Sequence, residues 1–145
     1  MEVTIEKTRA FFERQIRYFE QNKTDFLDLY AHHMSDSANP RKQTEQLLDT
    51  YLAAVRDALQ GQGGIPDFVT IGSEVTIIYE EDGMKERYKI GLPEDSNPDE
   101  NCVSFLSPLG RQLLMAKKGQ HLSIETPGEP MQVTVSEVKL VLDNE

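Results

Sequence analysis

The apolar residues of this chain follow two different periods, one on each side of a single glycine cluster. Ile5, Phe12, Ile16, Phe19, Phe26 and Tyr30 recur at steps of three, four or seven. That spacing predicts an amphipathic helix with a seam along one face. Phe11, Tyr18 and Leu29 widen the seam. Lys23 falls within it, in Asn22-Lys23-Thr24-Asp25, where Thr24 can cap a new helix, so one continuous helix and a broken one both stay open. Ser35 to Pro40 reads as a loop, with Asn39 as cap and Pro40 at the first helical position. Thr44, Leu48, Tyr51 or Leu52, Val55 and Leu59 then form a second seam. Two seamed helices joined by a short loop predict an antiparallel helical hairpin (a coiled coil) over residues 1–60.

Gln60-Gly61-Gln62-Gly63-Gly64-Ile65-Pro66 packs three glycines and a proline into seven residues. Such a cluster ends a helix and releases the chain, so residues 61–67 are predicted to be a hinge. Beyond it the period becomes two. Phe68 to Ile71 and Val75 to Tyr79 read as strands, and Asp82-Gly83 as a hairpin turn into a strand from Arg87 to Ile90. Leu92 to Asn101 is a polar loop, and Cys102 to Leu106 a further strand.

Ser107 caps a helix that opens at Pro108. Leu109, Leu113 and Leu114 give it one apolar face, Lys117 and Lys118 suit its negative end, and Gly119 can stop it. Leu122, Ile124 and Thr126 alternate with polar residues, Thr126-Pro127-Gly128 turns, and Val133 to Val135 with Val138 to Leu142 close the sheet. The expectation for residues 68–145 is an antiparallel sheet carrying one short helix, hence an α+β fold.

Composition narrows the function classes. No run of about 18 apolar residues is present, so no membrane span is expected. The N-terminal MEVTIEKTRAFFERQ is charged throughout and lacks the apolar centre of a secretion signal. Cys102 is the single cysteine of the 145 residues, which excludes an internal disulfide and a cysteine metal cage. A cytoplasmic protein is expected. The net charge is −10, divided as −2 over residues 1–60 and −8 over residues 61–145. Backbone contacts to nucleic acid need clustered Lys and Arg, so neither half reads as a free nucleic-acid binder. The acidic half fits a basic protein partner or a plain soluble surface.

Catalytic motifs are not found. His32 and His33 are adjacent and point to different sides of a helix, and a helix-end histidine is the ordinary reading. His121 has no evident partner in the sequence. Cys102 reads as packed in a strand rather than reactive. Gly61-x-Gly63-Gly64 lacks the strand–helix setting of a dinucleotide fingerprint. An enzyme in its own right is not expected, and no metal or cofactor is assigned.

The segment from Ser107 to Pro130, SPLGRQLLMAKKGQHLSIETPGEP, carries a further signal. Its Ser-Pro-hydrophobic-small-Arg helix start, its Lys-Gly stop and its strand ending in Thr-Pro-Gly stand in order. Together they resemble the C-terminal domain of the Gre transcript-cleavage factors, which bind bacterial RNA polymerase. The likeness extends over residues 68–142, with Val69 to Ile77 similar to that domain's opening strand and Tyr88-Lys89-Ile90 following. It implies an FKBP-like fold without the isomerase function. It also implies that Ser107, Pro108 and Leu109, with Gly110 and Arg111 alongside, grip a coiled coil at the rim of the polymerase's secondary channel. The plain alternative is that Ser107 and Pro108 are capping chemistry and that Arg111 pairs with a local acid.

For the N-terminal half, the resemblance implies a hairpin that enters the channel. In the family, two acidic tip residues three positions apart help hold the polymerase's own catalytic magnesium, a hard cation that wants oxygen ligands. The tip here offers Asp36 and, three positions on, Asn39, an amide without charge. Each arm is also shorter than the family's by roughly a heptad, about 10 Å. The resulting expectation is a polymerase-binding regulator of elongation or initiation that meets nucleic acid only through the transcription complex, without strong cleavage stimulation. Alternatives stay open. The chain could be an active cleavage factor using Asp36 with polymerase-bound magnesium, or an interaction module reused for another partner. It could also resemble the regulator of nucleoside diphosphate kinase, whose domain junction Ile65-Pro66-Asp67-Phe68-Val69-Thr70 is similar to. The first helix carries more apolar surface than a two-helix seam needs, which leaves monomer and dimer both open.

Overall fold

The computed structural model describes residues 5–34, 38–61 and 63–141, save the side chains of His33 and Met34. The chain divides into two compact units, Met1–Pro66 and Asp67–Glu145.

The first unit is built on α1 (Ile5–Tyr30) and α2 (Pro40–Gln60), with a 3-10 turn at Ala31–Met34 between them. Their cross-links run in opposite senses along the chain, as an antiparallel hairpin requires. Lys23 reaches Asp49 at 2.8 Å and Glu45 at 3.1 Å, Arg41 reaches Asp28 at 2.8 Å, and Arg56 pairs with Glu20. The seam is the heptad line Phe12, Phe19 and Phe26 packed against Leu48, Tyr51, Leu52 and Val55, all buried. The Phe19 and Phe26 rings meet edge to face at 5.3 Å, a favoured aromatic geometry. Buried Tyr51 satisfies its hydroxyl by donating to Gln15 Oε1 at 2.5 Å.

Three details of α1 differ from the sequence expectation. Asn22 leaves helical conformation (φ −121, ψ 16), so the helix is kinked there rather than restarted at a Thr24 cap. Lys23 occupies a seam position by reaching out to the two acids of α2, and its hydrogen bonds to Asp49 and Glu45 raise its pKa. Ile5 is exposed although it continues the heptad line. The reason is end geometry: Arg9 already lies opposite the last turn of α2, donating to the carbonyls of Leu59 and, at 2.9 Å, Gly64. Those bonds satisfy a helix-end carbonyl and fix the following glycine turn.

The second unit is a five-stranded sheet of β1 (Ser73–Tyr79), β2 (Lys85–Gly91), β3 (Cys102–Ser104), β4 (His121–Ile124) and β5 (Met131–Leu140), with α3 (Pro108–Leu113) packed on it. The strand order is β3-β2-β1-β5-β4. Val75, Ile77, Ile90, Val133 and Val135 face inward and are fully buried, together with Phe105, Leu106 and Leu113 from the α3 segment. Gly83 (φ 75) turns β1 into β2, with Asp82 Oδ1 accepting from the Met84 N–H. A bulge at Ser136 separates the pairs Ile77–Val135 and Thr76–Glu137, so β5 is one bent strand where two were expected.

The α+β class stands, with three local corrections. The sheet is not wholly antiparallel, because β3 runs parallel to β2 through Lys89–Cys102, Ile90–Val103 and Gly91–Ser104. The polar loop causes this: its two 3-10 turns, Pro93–Asp95 and Pro98–Glu100, carry the chain back along β2, and Asn101 (φ 55) turns it into β3. Phe68 to Ile71 is not a sheet strand; Phe68 forms a single bridge to Lys117. Finally, α3 stops at Leu113, short of Lys117, Lys118 and Gly119. Met115 turns to φ 70, its N–H donates to the Val69 carbonyl at 2.8 Å, and the Ala116 carbonyl accepts from Val69 at 2.8 Å. Tertiary bonds to Val69 therefore replace the last helical turns. Gly119 (φ 89) serves the turn into β4 instead.

At the turn end of the β1–β2 hairpin, Glu86 Oε1 accepts from Tyr79 at 2.7 Å and from Tyr88 at 2.9 Å. Burial, the neighbouring Tyr88 and the Glu86 carboxylate raise the Tyr79 pKa, and burial is the largest cause of the rise at Tyr88. With folded pKa values above the ordinary tyrosine value of about 10, this contribution to stability is complete below that pH and is lost as pH rises through the folded values. In an alkaline absorbance titration, Tyr79→Phe and Tyr88→Phe should each remove one late-ionising phenol. Unchanged titration curves would contradict the cluster.

Candidate functional site

The Ser107–Arg111 segment is built from the end of β3. Ser104 is buried, and its carbonyl accepts twice from Ser107, from the hydroxyl at 2.7 Å and from the N–H at 3.0 Å. Its own hydroxyl accepts from the Leu106 N–H at 3.0 Å. Ser107 Oγ in turn accepts from the Gly110 N–H at 3.0 Å and caps the helix, with Pro108 in the first turn. Two serines thus bracket Phe105 and Leu106, whose side chains are fully buried. The result is a rigid corner rather than a free loop.

Gly110 closes that corner. A Cβ at this position would lie 2.0 Å from the Ser104 carbonyl oxygen, closer than any real contact. The first turn of α3 sits directly on the end of β3 because residue 110 has no side chain. On the other side, Gln112 Nε2 donates to the Pro108 carbonyl at 2.8 Å and the Glu125 carbonyl at 3.2 Å, and its Oε1 accepts from Glu125 N–H at 2.7 Å. The helix is therefore tied to the end of β4 as well.

Of the sequence-predicted residues, Pro108 is exposed, while Ser107, Leu109 and Arg111 are half-buried and Gly110 is buried. Arg111 donates to the Leu106 carbonyl at 3.3 Å, a bond within the corner. What the corner offers a partner is an exposed proline and part of a leucine on a fixed backbone. Ser104 and Gln112 were not singled out by sequence. The Ser-x-x-Ser spacing of Ser104 and Ser107 was the available signal for the first; Gln112 left none.

At the hairpin tip, Asp36 lies outside the described residues. Asn39 is exposed and caps α2, its Oδ1 accepting from the Lys42 N–H at 3.4 Å. Among the described residues, no group of three or more His, Cys, Asp or Glu side chains is placed to hold a metal ion.

His121 does have a partner, contrary to the sequence reading. Its Nδ1 lies 2.7 Å from Glu80 Oε2 and 3.0 Å from Thr134 Oγ1, and the Glu80 pKa is lowered by its bonds to His121, foremost, and to Thr134 Oγ1, which donates to it at 3.1 Å. The pairing crosses from the β1 end to β4 and β5, which sequence spacing does not reveal. The cluster is exposed, and an ion pair in such a place contributes little to stability. Among the described residues, no helix is long and apolar enough to cross a membrane.

The sequence pattern described as "Transcription elongation factor, GreA/GreB, C-term" matches residues 64–140. Transcription elongation factor GreA of Geobacillus kaustophilus is 36% identical over 74 residues, covering 51% of this chain and 47% of that protein. Transcription elongation factor GreA of Listeria welshimeri is 34% identical over 86 residues, covering 59% of this chain and 52% of that protein. Among solved structures, a transcription elongation factor GreA/GreB from Nitrosomonas europaea aligns with a TM-score of 0.49 and 26% identity, over 68% of this chain and 90% of that one. The chain spans about half the length of the curated relatives it matches.

The corner makes a graded prediction. Gly110→Ala should destabilise the chain by about 3 kcal/mol, as overpacking against backbone does. Ser107→Ala, which removes a cap, should cost about 1 kcal/mol. Chemical denaturation checks both; a Gly110→Ala midpoint equal to wild type would contradict the close approach.

Proposed function

We propose, from the premise that this chain belongs to the GreA/GreB transcription elongation factor family, that it docks on bacterial RNA polymerase through the Ser107–Arg111 corner. The observation that carries the reading is the construction of that corner. Two serines, a glycine without room for a Cβ and the Gln112 bridge hold exposed Pro108 and half-buried Leu109 in one geometry. A preorganised apolar contact surrounded by satisfied polar groups binds without an ordering cost. Pro108 and Leu109 would supply the contact, while Ser107, Gly110 and Arg111 position it.

The hairpin would then act as the effector. Its second arm, the 21 residues of α2, reaches about 30 Å at 1.5 Å per residue. Asn39 is occupied in capping that arm, which leaves Asp36 as the single tip carboxylate and supports a regulator of elongation or initiation without strong cleavage stimulation. The chain would not be an enzyme itself, and its place of action would be the cytoplasm.

Gel filtration with purified bacterial RNA polymerase tests the docking. Wild type should co-elute, and Ser107→Glu or Leu109→Glu should weaken binding about tenfold or more. Absence of binding, or equal binding by all three, would overturn the reading. A separate assay on backtracked elongation complexes tests the tip. Wild type and Asp36→Ala should shorten the RNA equally little; strong shortening abolished by Asp36→Ala would establish a cleavage factor instead.

A further inference from the structure

Inside α1 the backbone departs from the helix at Asn22, directly before a charge placed in the seam. Asn22 has φ −121 and ψ 16, and the helix is kinked there. Its side-chain amide donates at 2.9 Å to the carbonyl of Tyr18, the one that a helical N–H at position 22 would take. A side chain that offers the backbone such a bond competes with the helix and gives a kink a local cause. Neither proline nor glycine, the residues that commonly kink helices, occurs in α1.

Lys23 follows at once. With Ile16 and Tyr30 it lies on the second heptad line of the seam, where an apolar residue is the ordinary choice. Its ammonium is clamped by Asp49 at 2.8 Å and Glu45 at 3.1 Å, which stand one turn apart on α2. These pairs are partly exposed, so their net stabilisation is small. What they supply is direction. Two acceptors a turn apart fix where along α2 the second part of α1 lies, as a polar seam residue fixes register at some cost in stability. Buried Phe19 and Phe26 meet edge to face at 5.3 Å across the kink, so the apolar seam runs through it unbroken. The seam continues past the kink, and the Asn22–Lys23 pair marks its place.

We propose that Asn22 and Lys23 are the positioning residues of the hairpin tip: Asn22 bends α1, and the Lys23 clamp holds residues 23–30 in one direction against α2. The inference concerns the free chain and stands whether or not the chain docks on polymerase. Its consequence is that a change at either residue redirects the tip without touching the Ser107–Arg111 corner.

Residual dipolar couplings of the backbone amides, measured on the weakly aligned full chain, give the axes of residues 5–21 and 23–30 separately. Wild type should require two axes. Asn22→Ala removes the competing amide and favours helix, so both segments should fall on one axis. Lys23→Leu should keep the chemical denaturation midpoint at or above the wild-type value, because the seam gains an apolar residue. It should nevertheless shrink the couplings of residues 23–30 relative to those of residues 5–21, because the direction is no longer held. A merely stabilising contact would do the reverse, lowering the midpoint and leaving the couplings as they are. The proposal is overturned by a single axis in wild type, or by wild-type couplings in either variant. A Lys23→Leu midpoint below wild type would overturn the role of the clamp.

Discussion

The second unit depends on one close approach, that of Gly110 to the Ser104 carbonyl. This oxygen ends β3, accepts two bonds from Ser107 and lies where the Cβ of any other residue at 110 would be. Because backbone meets backbone there, α3 starts at the end of the strand with almost no connecting chain. Phe105 and Leu106 are driven into the core by the same corner, and Leu113 follows them from the other end of the helix. Polar satisfaction and apolar burial are thus fixed by one small set of atoms. A corner of this kind has few alternative arrangements.

The first unit is organised differently, by repetition. A heptad of phenylalanines makes the seam, and charged residues on its flanks bridge the two helices. That design tolerates irregularity: the kink at Asn22 and the placement of Lys23 between two acids leave Phe19 and Phe26 buried on either side. It also leaves a second aromatic and aliphatic line one residue behind the first. Rings at i and i+1 on a helix cannot both face the same partner, so a sequence that alternates Phe11-Phe12 and Tyr18-Phe19 commits one ring of each pair to a different surface.

Much of this was legible in the chain, and the failures share a cause. The two periodicities gave the helices and most of the strands, because each depends on side chains a few residues apart. The Ser107 cap and Pro108 were readable for the same reason. The length of α3 was not, since Leu114 to Lys118 continue a helical pattern locally and yield to bonds with Val69, far away in sequence. The parallel pairing of β3 depends on how the polar loop folds back, and the His121–Glu80 contact on strand order. Gly110 was noticed as a motif position, but its reason, the carbonyl above it, belongs to tertiary structure alone.

The two units therefore carry different kinds of information. In the second, the corner residues are tightly constrained, with Gly110 buried and Pro108 the exposed member. In the first, packing asks for a heptad of rings and for the charged bridges beside it, so exposed positions such as Tyr18 and Leu29 lie outside its demands. A family signature resides most easily where packing leaves little choice, and residues 64–140 match such a pattern. The hairpin's own features are Asn39, which caps α2 from an exposed position, and the part of α1 on which Tyr18 and Leu29 are exposed.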